Sequence, residues 1–130
     1  MSSRPPDYYS EKVLELFRTL PGAGTLPPGE GECACGEAAA LDRGAWVRFE
    51  ARVAGGRIDD CRFRAFGCPH TLAAAALAVR ALRALSLDRA QAIDAASLAR
   101  ELDAPREKLG RLLVVEDALR ALLAEARRVQ

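Results

Sequence analysis

Cysteine and histidine carry most of the chemistry that this 130-residue chain could perform. Cys68 stands directly before Pro69, and because proline suits the first position of a helix, Cys68 is the expected N-cap. A thiol there faces unpaired backbone N–H groups and the positive end of the helix dipole, which both favour the thiolate. Cys68 is therefore the first candidate for a metal ligand or nucleophile, with a small buried capping residue as the alternative.

His70 is the only histidine and lies two residues after Cys68. The helix dipole should keep its ring neutral, which suits metal ligation. The two side chains could hold one ion through sulfur and nitrogen, or pair a thiolate with an imidazole. A histidine that caps the helix or faces solvent is the alternative.

Cys33 and Cys35 form a Cys-x-Cys pair after a Gly/Pro-rich stretch that ends at Gly31. We expect this stretch to be a mobile loop and both thiols to lie at its end, where they could close on a metal ion. Glu37 could add a carboxylate, although an exposed glutamate at a strand edge is the better interpretation. A Cys-x-Cys alone is a weak signal, so two incidental loop thiols remain the alternative.

The remaining cysteine, Cys61, is expected on an apolar strand face with Phe63 and Ala65, where it would be a small core residue. Arginines are expected on the opposite, solvent-facing side of the sheet: Arg48, Arg52, Arg62 and Arg64. The simpler interpretation is that these arginines form a solvated face. The more specific hypothesis is that they form a docking surface for an acidic partner.

Strands with alternating polarity must position the cysteines. Alternation predicts a strand over 46–53, a tight turn at Gly55-Gly56 and a return strand over about 58–66. A weaker third strand is expected over 38–41. Together they predict a small antiparallel three-stranded sheet.

Helical spacing predicts the other elements. Ser10 should cap an N-terminal helix, Ser86 a short helix through Ile93 and Asp94 the next one, while a long C-terminal helix follows Pro105. A further helix is expected over 72–85. The order of elements predicts an α+β fold with helices packed on one face of the sheet.

Composition restricts the class of protein. With 19 basic and 18 acidic residues, the near-balanced charge argues against nucleic-acid binding by bulk charge. The N-terminal segment lacks the apolar run of a signal peptide, and no apolar stretch is long enough to span a bilayer. We expect a cytoplasmic protein with reduced cysteines, a flexible N-terminus over 1–9 and one domain over 10–130.

Several segments, in order, resemble the IscU/NifU N-terminal family of iron–sulfur cluster assembly scaffolds. They are a strand that ends in Phe66-Gly67-Cys68, a Ser-Leu-x-x-Ala-x-x-Ile segment over 86–93, a Glu-Asp-Ala segment over 116–118, and the opening over 9–13. The resemblance implies a scaffold that accepts sulfur from a cysteine desulfurase and assembles a [2Fe–2S] cluster on three cysteines, with an aspartate and a histidine nearby. It covers most of the chain.

By position, Cys68 matches the family's second cysteine. Ala34-Cys35-Gly36-Glu37 resembles the family's Ala-Cys-Gly-Asp, which would make Cys35 the first ligand, whereas an ungapped comparison puts Arg43-Gly44 there. Gly110 and Arg111 occupy the places of the family's histidine and third cysteine. In the segment over 104–108, where the family binds a dedicated chaperone, only Pro105 and Lys108 match, so that coupling is doubtful.

We therefore predict a scaffold or carrier, not an enzyme, that binds iron, a [2Fe–2S] cluster or zinc. The predicted ligands are Cys35 and Cys68, with His70, Glu37 or Cys33 completing the set. The alternatives are a persulfide-accepting thiol protein and a partner-binding module of the same fold without metal. The resemblance also implies a cysteine desulfurase and cluster-acceptor proteins as partners, no nucleic acid or membrane, and a monomer or weak homodimer.

Overall fold

The computed structural model describes residues 8–129. Three strands form one antiparallel sheet in the order β1-β2-β3: β1 (Glu32–Ala40), β2 (Ala45–Ala54) and β3 (Arg57–Phe66). Five α-helices accompany it: α1 (Glu11–Thr19), α2 (Pro69–Ala84), α3 (Leu87–Ala90), α4 (Ala95–Leu102) and α5 (Leu109–Val129). The predicted α+β fold is confirmed.

Helices α2 and α5 cover one face of the sheet. Helix α5 lies along β1 and β2, while α2 packs on β3. Alternate strand residues such as Val47, Phe49 and Phe63 are buried beneath them, as the period-2 pattern predicts. The other face carries charged residues and is not covered by a helix. The loop that follows α1 crosses it.

Glycine permits the closest approach in the core. At Gly36 a Cβ would lie 2.1 Å from the Leu122 backbone nitrogen and 2.4 Å from the Ala118 carbonyl oxygen. Because both atoms belong to the backbone of α5, they cannot move aside without displacing the helix. The missing side chain therefore sets the distance between β1 and α5.

Capping residues fix several helix starts. The Ser10 hydroxyl accepts a hydrogen bond from the Val13 N–H and donates one, 2.6 Å long, to the Leu102 carbonyl. Asp94 and Ser97 form a reciprocal capping box at α4. The predicted caps at Ser10, Ser86 and Asp94 are confirmed, although α3 ends at Ala90, earlier than predicted.

The first strand differs from the prediction. A strand was expected over 38–41, but β1 begins at Glu32 and includes Cys33 and Cys35. The alternation is hidden because the buried positions hold Ala34 and Gly36, whose small side chains give no apolar signal. Its pairing with β2, in which Cys35 lies opposite Glu50, shows that this segment is a strand.

The Gly/Pro-rich segment before β1 crosses the open face of the sheet. Its start pairs with β3, since Gly22 accepts a hydrogen bond from the Phe63 N–H, and the Leu26 N–H then donates to Glu50. Arg52 reaches the carbonyl of Pro27. We call residues 21–31 the strap, because these contacts tie it across the strands where the sequence predicts a mobile loop.

At the N-terminus, residues 1–7 of the predicted flexible segment lie outside the described part of the chain. Tyr9 packs against the core, so the fold includes at least this residue of the segment. The predicted domain boundary at residue 10 stays a prediction. Among the described residues, no helix is both long and apolar enough to cross a membrane.

Replacing Gly36 by Ala tests the close approach of β1 to α5. We expect a loss of about 3 kcal/mol in the free energy of unfolding, at the upper end for overpacking, because backbone atoms block the new methyl group. Urea denaturation followed by circular dichroism measures it. Cys35→Ala, on the exposed side of the same strand, is the matched control and should stay within about 0.5 kcal/mol of wild type. Equal stability of the two variants would contradict the close packing.

Candidate thiolate and metal site

Cys68 lies at the corner between β3 and α2. Its backbone is extended (φ −75°, ψ 167°), and Pro69 takes the first helical position, as predicted. Gly67 makes the corner possible: its φ of +151° suits glycine, and a Cβ there would lie 3.0 Å from Thr71. The Cys68 side chain is half-buried and its sulfur lies 3.7 Å from the Thr71 hydroxyl oxygen.

The surroundings of Cys68 favour its thiolate. Burial alone would raise the pKa of the thiol. The His70 ring, the N–H groups of Thr71 and His70, and the Thr71 hydroxyl outweigh that effect and lower the pKa to about 6. Cys68 is therefore mostly ionised at neutral pH, in the form that binds metal and attacks electrophiles.

His70 is fully buried beside this thiolate. Neither of its ring nitrogens has a partner with ordinary hydrogen-bond geometry among residues 8–129. The ring favours the Cys68 thiolate by its proximity rather than through a well-formed bond, and its centroid lies 5.1 Å from that of Tyr9. A buried imidazole without a partner is costly, and an added ion or group at the sulfur could supply one.

The other predicted ligands lie on β1. Cys33, Cys35 and Glu37 alternate along the open face of the sheet, and all three are exposed. Glu37 is already engaged: it accepts hydrogen bonds from the Trp46 indole (2.6 Å) and from Arg48 (3.1 Å). These two donors lower the pKa of Glu37, the indole contributing most. Glu37 therefore lies where the alternative interpretation puts it, exposed on the edge strand.

The structure does not bring Cys35 next to Cys68. Cys35 pairs with Glu50, which pairs with Arg62, four residues before the end of β3. Strand geometry puts that position about 13 Å along the sheet and about 10 Å across it from Phe66, two residues before Cys68. Among the described residues, no group of three or more histidine, cysteine, aspartate or glutamate side chains is placed to hold a metal ion. That the ligands on β1 and those at the Cys68 corner hold one ion together stays a prediction. In the structure the two groups of residues lie apart.

A residue outside the predicted set lies at the start of α5. A Cβ on Gly110 would lie 2.6 Å from an Arg43 guanidinium nitrogen, so Arg43, in the turn between β1 and β2, reaches the place where the family's histidine and third cysteine are expected. The ungapped comparison, which aligns Arg43 with the first cysteine, signalled this arrangement in the sequence.

The predicted basic stripe is largely neutralised. Glu50 accepts hydrogen bonds from Arg48 and Arg64, both 3.1 Å long, and Asp60 pairs with Arg62. Arg52 is 6% exposed, covered by the strap, so it does not belong to a solvated face as expected. The sequence shows the arginines but not their partners, which are carboxylates of the same or the neighbouring strand and, for Arg52, a carbonyl of the strap.

Cys61 is a core residue, as predicted. It is fully buried, and burial raises the pKa of its thiol to about 12 against the smaller opposing effect of Arg83. Its thiol is therefore inert beside that of Cys68.

Comparison with known proteins finds relatives along nearly the whole chain. Residues 8–129 match the NifU-like N terminal domain family. The iron–sulfur cluster assembly scaffold protein IscU of Escherichia coli strain K12 is 30% identical over 118 residues, which cover 90% of this chain and 92% of that protein. The Drosophila melanogaster protein named iron–sulfur cluster assembly enzyme IscU is 29% identical over 126 residues, which cover 96% of this chain and 82% of that protein.

Solved structures of similar fold have low sequence identity. The N-terminal part of a NifU-like protein from Brucella abortus has a TM-score of 0.71 at 15% identity and covers 92% of this chain and 94% of its own. A putative iron–sulfur cluster assembly scaffold from Fervidobacterium islandicum AW-1 has a TM-score of 0.70 at 15% identity, with 88% and 96% covered. The match over residues 8–129, together with this relatedness, shows that the chain belongs to the NifU-like N-terminal domain family of IscU-type scaffolds.

Proposed function

We propose that this chain acts in iron–sulfur cluster assembly as a scaffold or carrier, not a catalyst, with Cys68 as the thiolate that holds the cargo. The observation that carries the proposal is the ionised sulfur at the N-terminus of α2, beside a buried imidazole without a partner. Relatives over nearly the whole chain are named for cluster assembly, which supports the same process here.

Of the three positions at which the family has cysteines, we infer that one holds a cysteine in this chain. The contact between Arg43 and Gly110 supports the ungapped comparison, in which Arg43, Cys68 and Arg111 occupy those positions. Guanidinium groups cannot ligate a metal ion. We infer that iron, a [2Fe–2S] cluster or zinc is held by Cys68 with His70, and that the remaining donors come from another molecule.

Exposed apolar side chains near the Cys68 corner suit a protein partner. Phe66, which stacks on Trp46, is 52% exposed, and Leu41, in the turn that carries Arg43, is 80% exposed. Leu109, next to Gly110, is 42% exposed. We propose a cysteine desulfurase or a cluster-acceptor protein as the partner, and the cytoplasm as the compartment because a reactive thiolate needs reducing conditions.

The thiolate itself can be titrated. The rate of Cys68 alkylation by iodoacetamide should rise with pH with a midpoint near 6, and Cys61 should stay unlabelled at neutral pH. Mass spectrometry of peptides gives the rate for each cysteine. In His70→Leu the midpoint should move upward, because the ring that favours the thiolate is gone. A Cys68 midpoint near the ordinary value of 9.0 in wild type would contradict the proposed site.

Stability should depend on pH through the same group. The pKa of Cys68 is lower in the folded chain than in the unfolded chain, so between about pH 6 and pH 9 the unfolded chain binds more protons. The contribution of Cys68 to the free energy of unfolding should therefore be complete above pH 9 and disappear as the pH falls to 6. Urea denaturation of wild type and Cys68→Ser across this range measures the difference.

Cargo binding should require Cys68. After anaerobic addition of ferrous iron and sulfide, with a small thiol present to fill open positions, wild type should become coloured and Cys68→Ser should stay colourless. Protein purified without this treatment should hold up to about one zinc ion per chain, since thiolate sites bind zinc readily. Cys33→Ser, which also removes an accessible thiol, is the matched control and should behave as wild type. Colourless, metal-free wild type would contradict the proposal.

A second candidate function is suggested by the arginines at the ligand positions. A single thiolate of low pKa without neighbouring thiols is suited to carrying sulfur as a persulfide, and the arginines at the other two positions leave no thiol there to share a metal ion. Incubation with a cysteine desulfurase and cysteine should then add the mass of one sulfur atom to the Cys68 peptide, and to no peptide in Cys68→Ser. Unchanged Cys68 in wild type would exclude this candidate.

A further inference from the structure

A second pair of thiols lies in a cleft on the open face of the sheet. The cleft has a volume of about 490 Å³ and lies between the strap, β1, β2 and the end of α5. Its polar lining consists of the two thiols, two arginines and two carboxylates: Cys33, Cys35, Arg48, Arg52, Glu50 and Glu125. Neither the Cys68 corner nor the proposed cluster chemistry uses this cleft.

Strand geometry holds the two thiols side by side. Cys33 and Cys35 are alternate residues of β1, and Ala34 between them is buried in the core, so both side chains point to the cleft. Alternate Cα atoms of a strand lie about 6.6 Å apart. Disulfides prefer about 5.5–6 Å and rarely exceed about 6.8 Å, so the strand favours two separate thiols over a disulfide.

Charged groups of both signs lie around the pair. Cys33 lies opposite Arg52 in the register, and Cys35 lies opposite Glu50. Arg52 is more than nine-tenths buried, and its Nε has no hydrogen-bond partner among the residues described. The guanidinium of Arg48 also lies close enough to interact with Cys35: its pKa is raised chiefly by the bond to Glu50, with a favourable contribution from the sulfur. Arg48 is paired with Glu37 and Glu50, whereas Arg52 pairs with no carboxylate among the residues described, so its charge can offset a negative complex at the two sulfurs.

Within residues 8–129, no group of three histidine, cysteine, aspartate or glutamate side chains is placed to hold a metal ion, and Glu125 of the lining is engaged by Arg128. Glu50, the nearest carboxylate by register, accepts hydrogen bonds from the Leu26 N–H, Arg48 and Arg64. Structural zinc sites need four ligands in a tetrahedron, which this cleft does not supply. A soft monovalent ion that accepts two thiolates in a linear arrangement is the better match.

We propose that Cys33 and Cys35 bind one cuprous ion as a bis-thiolate, at a site separate from Cys68. Two thiolates and one monovalent cation give a net charge of −1, which Arg52 offsets. The strap lies along one side of the site, and both thiols stay accessible to an incoming ion. The proposal stands independently of cluster assembly, because it uses neither Cys68 nor His70.

The test is an anaerobic titration of the reduced full-length chain with cuprous ion, in competition with a chromophoric copper(I) chelator. We expect one tightly bound ion per chain and near-ultraviolet sulfur-to-copper absorbance, both retained in Cys68→Ser. The variant Cys33→Ser/Cys35→Ser should bind at least roughly 100-fold more weakly, since changes beyond the ligands alone can cost that much. The single variants Cys33→Ser and Cys35→Ser should each lose the same site, and circular dichroism checks that all variants are folded.

Specific outcomes would overturn the proposal. If Cys68→Ser loses the copper while the double variant keeps it, the ion is bound at the corner instead. If zinc displaces cuprous ion from the wild type but not from the double variant, the cleft is a zinc site. If the reduced chain forms a Cys33–Cys35 disulfide faster than it binds copper, the pair is a redox site.

Discussion

The close packing of α5 against β1 is the constraint on which the other geometry depends. At Gly36 no side chain fits between the strand and the helix backbone, so the register of β1 on β2 and the position of α5 are set together. That contact turns the small residues of β1 inward and its cysteines outward. It also places the start of α5, with Gly110 and Arg111, at the turn that carries Arg43. Packing in the core thus decides which polar groups meet at the surface.

The separation of the thiols follows from this arrangement. Cys68 belongs to a corner where the strand ends and a helix begins, and it gains its ionised character from donors of that helix. Cys33 and Cys35 belong to the first half of an edge strand, exposed in a cleft beside the strap. Cys61, on the core side of the same sheet, is kept neutral by burial. One small sheet therefore creates three different chemical environments for the same side chain.

Local signals in the sequence predict much of this fold. Alternation identified β2 and β3, proline identified the start of α2, and polar caps identified α1, α3 and α4. Cys68 was predicted as an N-cap because that property depends only on its neighbours. The full length of β1 was not predictable in the same way, since Ala34 and Gly36 look neutral until α5 packs on them. The pairing of Arg43 with Gly110 and the burial of Arg52 depend on contacts between residues distant in the chain, so no local pattern could reveal them.

The strap is attached to the sheet differently from the strands. Beyond its start, its described contacts to the open face are made by two side chains, Glu50 and Arg52, rather than by a ladder of backbone hydrogen bonds. Such a segment can detach while the core remains folded, because little apolar surface is exposed when it opens. Amide hydrogens of residues 25–31 should then exchange with solvent through local fluctuations, while those of α5 exchange only on global unfolding. The chain therefore combines a rigid scaffold with a cover that can lift away from one face at little cost in free energy.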